Sequence, residues 1–248
     1  MSILGLTIDF GPYGWLEGFD FGWTPNTTDN QHKRYRYGNQ PNMGLWNLYQ
    51  LANALYPIIE EVAPLEAILK QYTTDFEQQS LVMMKSKLGF TTVNADDLQL
   101  IQNLEDNLQL VETDMTIFFR NLSGFTDAAS GLKLIENAFY DFENISIEVK
   151  NNWNLWFEKY ADRLQQETVL SEERKEKMDA VNPKYVLRNY MSQMAIDEAD
   201  KGNYGLIDEL FQLLKNPYSA QPENEKWFAK RPEWARNKVG CSMLSCSS

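Results

Sequence analysis

The sequence predicts a mainly α-helical protein that opens with a short β segment and a glycine-rich loop. Three observations carry this reading. Leu4, Leu6 and Ile8 alternate around Thr7, five of the first 22 residues are glycine, and apolar residues recur at helical spacing from Leu45 onward. The chain has 248 residues, of which 43% are hydrophobic and 13% aromatic, so one large domain or two small ones can bury a real core.

Three segments follow in order. Residues 1–43 hold the alternating strand, which ends at Asp9, and then an irregular stretch marked by Pro12, Gly14, Gly18, Gly22 and Pro25. Residues 44–220 form the helical body, with at least six helices. Leu48, Leu51, Leu55 and Ile58 share one helical face, and Pro64 starts the next element. Asn94, followed by Ala95, Asp96 and Asp97, predicts an N-cap with acids in the first turn. From there Leu98, Ile101, Leu104, Leu108, Val111, Met115 and Phe118 read as one packed core helix rather than a coiled-coil seam. Trp153, Trp156, Phe157 and Tyr160 form an aromatic stripe suited to helix packing. The run Glu172 to Lys177 predicts a solvated face, and Asn182-Pro183 a break. Val186, Tyr190 and Met194, then Leu206, Leu210 and Leu213, predict two helices around a turn at Gly202. Residues 221–248 read as an extended but packed tail, because Trp227 and Trp234 are costly to leave in a free one.

Charge and composition exclude several function classes. Lys plus Arg total 23 against 35 Asp plus Glu, a formal charge of -12, which repels phosphate backbones and argues against nucleic-acid binding. The one dense basic run, His32-Lys33-Arg34-Tyr35-Arg36, reads as structural. No uninterrupted apolar run approaches a membrane span, and the N-terminus lacks the positive region of a secretory signal. Both cysteines, Cys241 and Cys246, lie in the last eight residues, which is no disulfide framework and fits a reducing compartment such as the cytoplasm. His32 is the only histidine, so multi-histidine metal sites are out and a metal here would be a hard cation on carboxylates. The adjacent acids Glu60-Glu61, Asp96-Asp97 and Glu172-Glu173 point to different helix faces and do not make paired-carboxylate catalysis.

One motif points to chemistry. Asp9-Phe10-Gly11 follows the alternating segment. A carboxylate at a strand end is fixed in position, a hard oxygen donor suits Mg²⁺, and the glycine permits an unusual turn into the next segment. The tripeptide alone is weak. Its context, with a strand before, a glycine-rich loop after and helices beyond, is the order of a protein-kinase C-lobe from its metal loop onward.

The stretch Ser2-Ile3-Leu4-Gly5-Leu6-Thr7-Ile8-Asp9-Phe10-Gly11-Pro12-Tyr13-Gly14 resembles the metal-loop signature of the selenoprotein O family. Further resemblances follow in order along the chain. They are Arg36-Tyr37-Gly38-Asn39-Gln40-Pro41 with Trp46-Asn47-Leu48, Thr116-Ile117-Phe118-Phe119-Arg120, and Trp153 with Tyr160 and Arg163. Asn182-Pro183-Lys184-Tyr185-Val186-Leu187-Arg188-Asn189 and the terminal Cys246-Ser247-Ser248 complete the set.

The resemblance implies a kinase-like C-lobe and a Mg²⁺-dependent transfer of AMP from ATP to Ser, Thr or Tyr hydroxyls of proteins. It implies a cytoplasmic location, mitochondrial for some eukaryotic relatives. Asp9 matches the family's Mg²⁺ ligand beside the nucleotide phosphates. The family's general base and second metal ligand, an Asp-Asn pair, fall directly before the position of Met1, and the ATP-clamping lobe lies further upstream. The resemblance therefore makes this chain a C-terminal portion that is inactive alone, with no catalytic base of its own. Some relatives carry selenocysteine at the position of Cys246 and are thought to pair it with a cysteine in the activation segment. Pro25 stands at that place here, which leaves Cys246 to pair with Cys241, to act as a reactive thiol, or to be inert. Two further readings stay open: a non-catalytic helical interaction module, and ordinary phosphoryl transfer.

Overall fold

The computed structural model describes residues 14–24, 29, 31–238 and 241. The strand expected at Leu4 to Asp9 lies outside them. Among the described residues the chain is mainly helical, and its only strand pairing is two isolated antiparallel bridges, Gly18 to Asp114 and Thr113 to Phe139. Nine α-helices are described: α1 (Gln40–Ile59), α2 (Ala63–Lys87), α3 (Asp97–Leu110), α4 (Met115–Leu122), α5 (Ala128–Leu134), α6 (Ile147–Leu164), α7 (Ser171–Val181), α8 (Asn189–Ala199) and α9 (Gly205–Lys215). The chain divides into two compact units, one holding 20–82 and the other 15–19 with 83–242.

In the first unit, α1 starts five residues before the expected Leu45, because Pro41 sits in its first turn, where a missing N–H costs nothing. It ends at Glu60, whose left-handed backbone (φ 58°) returns its N–H to the Tyr56 carbonyl. Leu48, Leu51 and Leu55 are half-buried as the stripe predicts, whereas Ile58 is exposed. The Tyr72 side chain of α2 lies against α1 at Gly44, where a Cβ would fall 2.4 Å from the Tyr72 hydroxyl; that hydroxyl donates to the Pro41 carbonyl at 3.2 Å. The basic run is structural. The Asp29 carboxylate accepts from the Arg34 and Tyr35 amides at 3.0 and 2.7 Å, and the Arg34 guanidinium lies 4.3 Å from the Trp46 ring centre.

The second unit carries the main core. The aromatic stripe is buried on α6: Trp153, Trp156, Phe157 and Tyr160 meet Phe118, Phe125 and Phe139 there. Their polar edges are placed by hydrogen bonds, from Trp156 Nε1 to the Leu100 carbonyl (3.0 Å) and from the Tyr160 hydroxyl to the Leu88 carbonyl (2.9 Å). The N-cap of α3 is Asp96 rather than the expected Asn94, which lies in the turn before it: Asn94 Oδ1 accepts from the Asp96 amide, and the Asn94 amide donates to the Asp97 carboxylate. Asp97 is buried in turn against Arg163.

The single core helix expected from Leu98 to Phe118 is two helices. Val111 is extended, and residues 111–114 leave the helix because Thr113 and Asp114 enter the two bridges and the Asp114 carboxylate caps α4 at the Ile117 amide (3.0 Å). Leu98 is 64% exposed, and Leu100 takes the buried place. The charge run lies on α7, exposed except for half-buried Arg174, whose Nη2 donates to the Phe125 carbonyl, and α7 ends at Asn182. Both helices around Gly202 form, with that glycine at φ 80° where a side chain would be strained. A second core of Tyr185, Tyr190, Met191, Leu210, Leu213, Trp227 and Cys241 joins α8 and α9 to the tail. The tail packs through Trp227, whose Nε1 donates to Glu209 at 2.8 Å, while Trp234 stays half exposed.

Candidate functional site

Asp9 and Cys246 lie outside the described residues. The structure does describe the chain just beyond the Asp9-Phe10-Gly11 motif, where residues 15–19 are pinned to the second unit. The Trp15 amide donates to Asn189 Oδ1 at 3.0 Å, and Asn189 Nδ2 donates back to the Trp15 carbonyl at 3.2 Å. The Phe19 amide donates to the Thr113 carbonyl, and the Met115 amide to the Glu17 carbonyl at 3.0 Å.

Beneath this segment lies a buried charge cluster. Arg188 donates through both Nη atoms to the Asp114 carboxylate, at 3.1 Å for the Nη2 to Oδ1 bond. Burial alone would push the Arg188 guanidinium down; Asp114 outweighs it and holds the group charged. Glu17 is buried beside the pair, and neither of its carboxylate oxygens accepts a hydrogen bond. Its nearest cation is Arg231, at 3.4 Å. Burial raises its pKa, with Arg188 and Arg231 opposing. Arg231 also pairs with Glu112 at 2.5 Å, and its amide donates to the Tyr140 hydroxyl at 3.1 Å. Burial and the nearby Asp114 push that phenol well up, so it stays neutral.

This arrangement carries no acid–base pair poised for chemistry. Arg188 and Asp114 neutralise one another, whereas the Glu17 carboxylate accepts no hydrogen bond, and the cluster underlies the segment that follows the motif. Sequence reasoning missed it. The available signals were Asp114 at a cap position and Arg188 next to Asn189, but nothing local pairs residues 74 apart. Among the described residues no three His, Cys, Asp or Glu side chains gather as a metal site. Cys241 is a free thiol buried in the second core, and burial raises its pKa, so it is not a reactive exposed cysteine.

The family model for protein adenylyltransferase SelO matches residues 1–215. The chain is 58% identical over its whole length to a protein nucleotidyltransferase YdiU of Flavobacterium johnsoniae, 48% to that of Aromatoleum aromaticum and 45% to that of Rhodopirellula baltica. It covers 48%, 47% and 48% of those proteins, about half the length of the relatives it matches. The chain belongs to the SelO/YdiU family of protein nucleotidyltransferases.

Proposed function

We propose that this chain forms the C-terminal portion of a protein adenylyltransferase with a kinase-like C-lobe, in which Asp9 holds Mg²⁺ against the ATP phosphates. The observation that carries the reading is the family match beginning at residue 1, which includes Asp9-Phe10-Gly11. The anchored segment 15–19 supports it, since a metal-holding carboxylate gains from a fixed chain beyond it. A carboxylate oxygen is the donor type Mg²⁺ prefers. When bound, the metal would neutralise charge on the phosphates.

In the reaction, a Ser, Thr or Tyr hydroxyl oxygen of a protein substrate bonds to the α-phosphorus of ATP. The bond from that phosphorus to the oxygen bridging to the β-phosphate breaks, pyrophosphate leaves, and the hydroxyl proton passes to a base. This chain supplies positioning and Asp9. The base and the ATP-clamping groups belong to the remainder of a family-length protein, so the 248-residue chain alone is inactive in this reading. Cys246 is retained as a redox-active thiol candidate, and the cytoplasm as the location.

The test is a family-length protein containing this sequence, incubated with substrate protein and ATP labelled at either the α- or the γ-phosphate. Label retained from the α-position supports adenylyl transfer. Label retained only from the γ-position replaces it with phosphoryl transfer. A second reading, a helical interaction module, is favoured for the isolated chain by the exposed Ile58 and Ile68 of α1 and α2. Stable capture of a partner by a chain with no transfer activity in any context would favour it.

A further inference from the structure

Residues 15–19 meet the second unit as a short antiparallel pairing. Gly18 bridges Asp114, with the Phe19 amide donating to the Thr113 carbonyl at 3.3 Å and the Met115 amide to the Glu17 carbonyl at 3.0 Å. Alternate residues, Glu17 and Phe19, are buried, as a pleated edge requires. The pairing cannot run further toward the Asp-Phe-Gly motif, because its partner segment turns into α4 at Met115.

At Trp15 a side chain takes over. Asn189 Oδ1 accepts from the Trp15 amide at 3.0 Å, and Asn189 Nδ2 donates to the Trp15 carbonyl at 3.2 Å. A carboxamide offers the same acceptor and donor as a peptide group, so Asn189 stands where the next residue of the ladder would stand. Asn189 is itself fixed. It is buried, it opens α8, and the Arg188 before it is locked on the buried Asp114 carboxylate. Asp114 caps α4 and belongs to the bridge, so the residue that ends the ladder also holds, through Arg188, the side chain that replaces it. Asparagine meets both needs. Aspartate of nearly the same shape has no donor for the Trp15 carbonyl, and leucine has neither donor nor acceptor.

The grip on Trp15 falls six positions after Asp9 and two residues nearer to it than the Glu17 carbonyl. We propose that Asn189 is a positioning residue for the transfer reaction, holding the Trp15 backbone and so limiting where the chain that carries Asp9 can go. The inference rests on the reading that Asp9 takes part in adenylyl transfer. Restricting a reacting chain to productive positions acts on kcat and leaves KM for the nucleotide unchanged.

The experiment compares a family-length protein with its Asn189→Asp, Asn189→Leu, Asp9→Ala and Gly131→Ala variants. Two quantities are measured. Hydrogen exchange of the peptide covering residues 9–19 is followed by mass spectrometry without ATP, and transfer of α-labelled AMP gives kcat and KM for ATP. Both Asn189 variants should exchange faster in that peptide, leucine more than aspartate. Their kcat should fall roughly three- to tenfold, from the net strength of one or two hydrogen bonds, with KM for ATP unchanged. Gly131→Ala, which loosens the second unit elsewhere, should keep the parental kcat. Asn189→Asp carries the test if the leucine variant does not fold. Parental exchange, a parental kcat despite faster exchange, a change confined to KM, or an equal kcat loss in Gly131→Ala would each overturn the inference while the transfer reading stands. No transfer by the parent, or parental transfer by Asp9→Ala, would remove the functional reading and this inference with it.

Discussion

Arg188 reaches across 74 residues to grip the carboxylate of Asp114, the same carboxylate that caps α4 at the Ile117 amide. Both side chains are almost completely buried. A buried pair adds little net stability, but removing one partner strands the other charge. Asp114→Asn or Arg188→Met should each cost about 3–5 kcal/mol in chemical denaturation. The double variant should cost clearly less than the sum. Additive losses would show that the two groups act separately.

Glu17 and Glu167 should respond to pH in opposite directions. Glu17 has a raised folded pKa, so its buried charge penalises the fold above that pKa, and the penalty is relieved as pH falls toward the ordinary value of 4.5. Glu17→Gln should therefore be at least as stable as the parent at pH 7, with the advantage shrinking on acidification. Burial pulls Glu167 up, but the hydroxyls and amides of Thr91 and Thr92 outweigh it and hold it at about 2. Its contribution is full above 4.5 and fades as pH falls toward 2. Glu167→Gln should lose stability at pH 7 and little near pH 2. Unfolding midpoints across this range check both.

Gly131 sits inside α5 against Phe157, where an added Cβ would fall 2.5 to 2.8 Å from three ring atoms. Alanine in a helix interior ordinarily gains about 1 kcal/mol over glycine. Here overpacking costs about 1–3 kcal/mol and wins, because the ring is locked among Trp153, Trp156 and Phe125. Gly131→Ala should lower the melting temperature, and Gly131→Ala with Phe157→Leu should recover part of it.

Burial pushes the Lys87 ammonium down to about 8, where it lies 4.3 Å from the centre of the Phe119 ring. Amine-directed labelling at pH 8, read by peptide mass spectrometry, should modify Lys87 ahead of the other lysines. The fold carries the penalty of its charge below pH 8 and sheds it as pH rises toward 10.5. Lys87→Met should be more stable than the parent at pH 7, and the gain should diminish above pH 8.

Local pattern made several elements legible. The aromatic stripe of α6, the turn at Gly202 between α8 and α9, and the break at Asn182-Pro183 rest on spacing and turn chemistry alone. The break at 111–114 was hidden, because apolar steps of three and four run straight through it while the bridges of Thr113 and Asp114 come from distant chain. The same holds for the buried polar pairs: Asp97 with Arg163, and Asp114 with Arg188, are ordinary charged residues until the fold removes them from water. The motif around Asp9 stands out in the sequence by residue type and order and lies outside the described residues; the cluster beneath residues 15–19 has no comparable local signal.

We propose above that Asp9 holds the metal for adenylyl transfer in a family-length protein. The most direct measurement places Asp9→Ala in such a protein and follows transfer of α-labelled AMP from ATP to a protein substrate. Transfer should disappear while folding, read by circular dichroism, is retained. Near-parental transfer in the Asp9→Ala protein would contradict it.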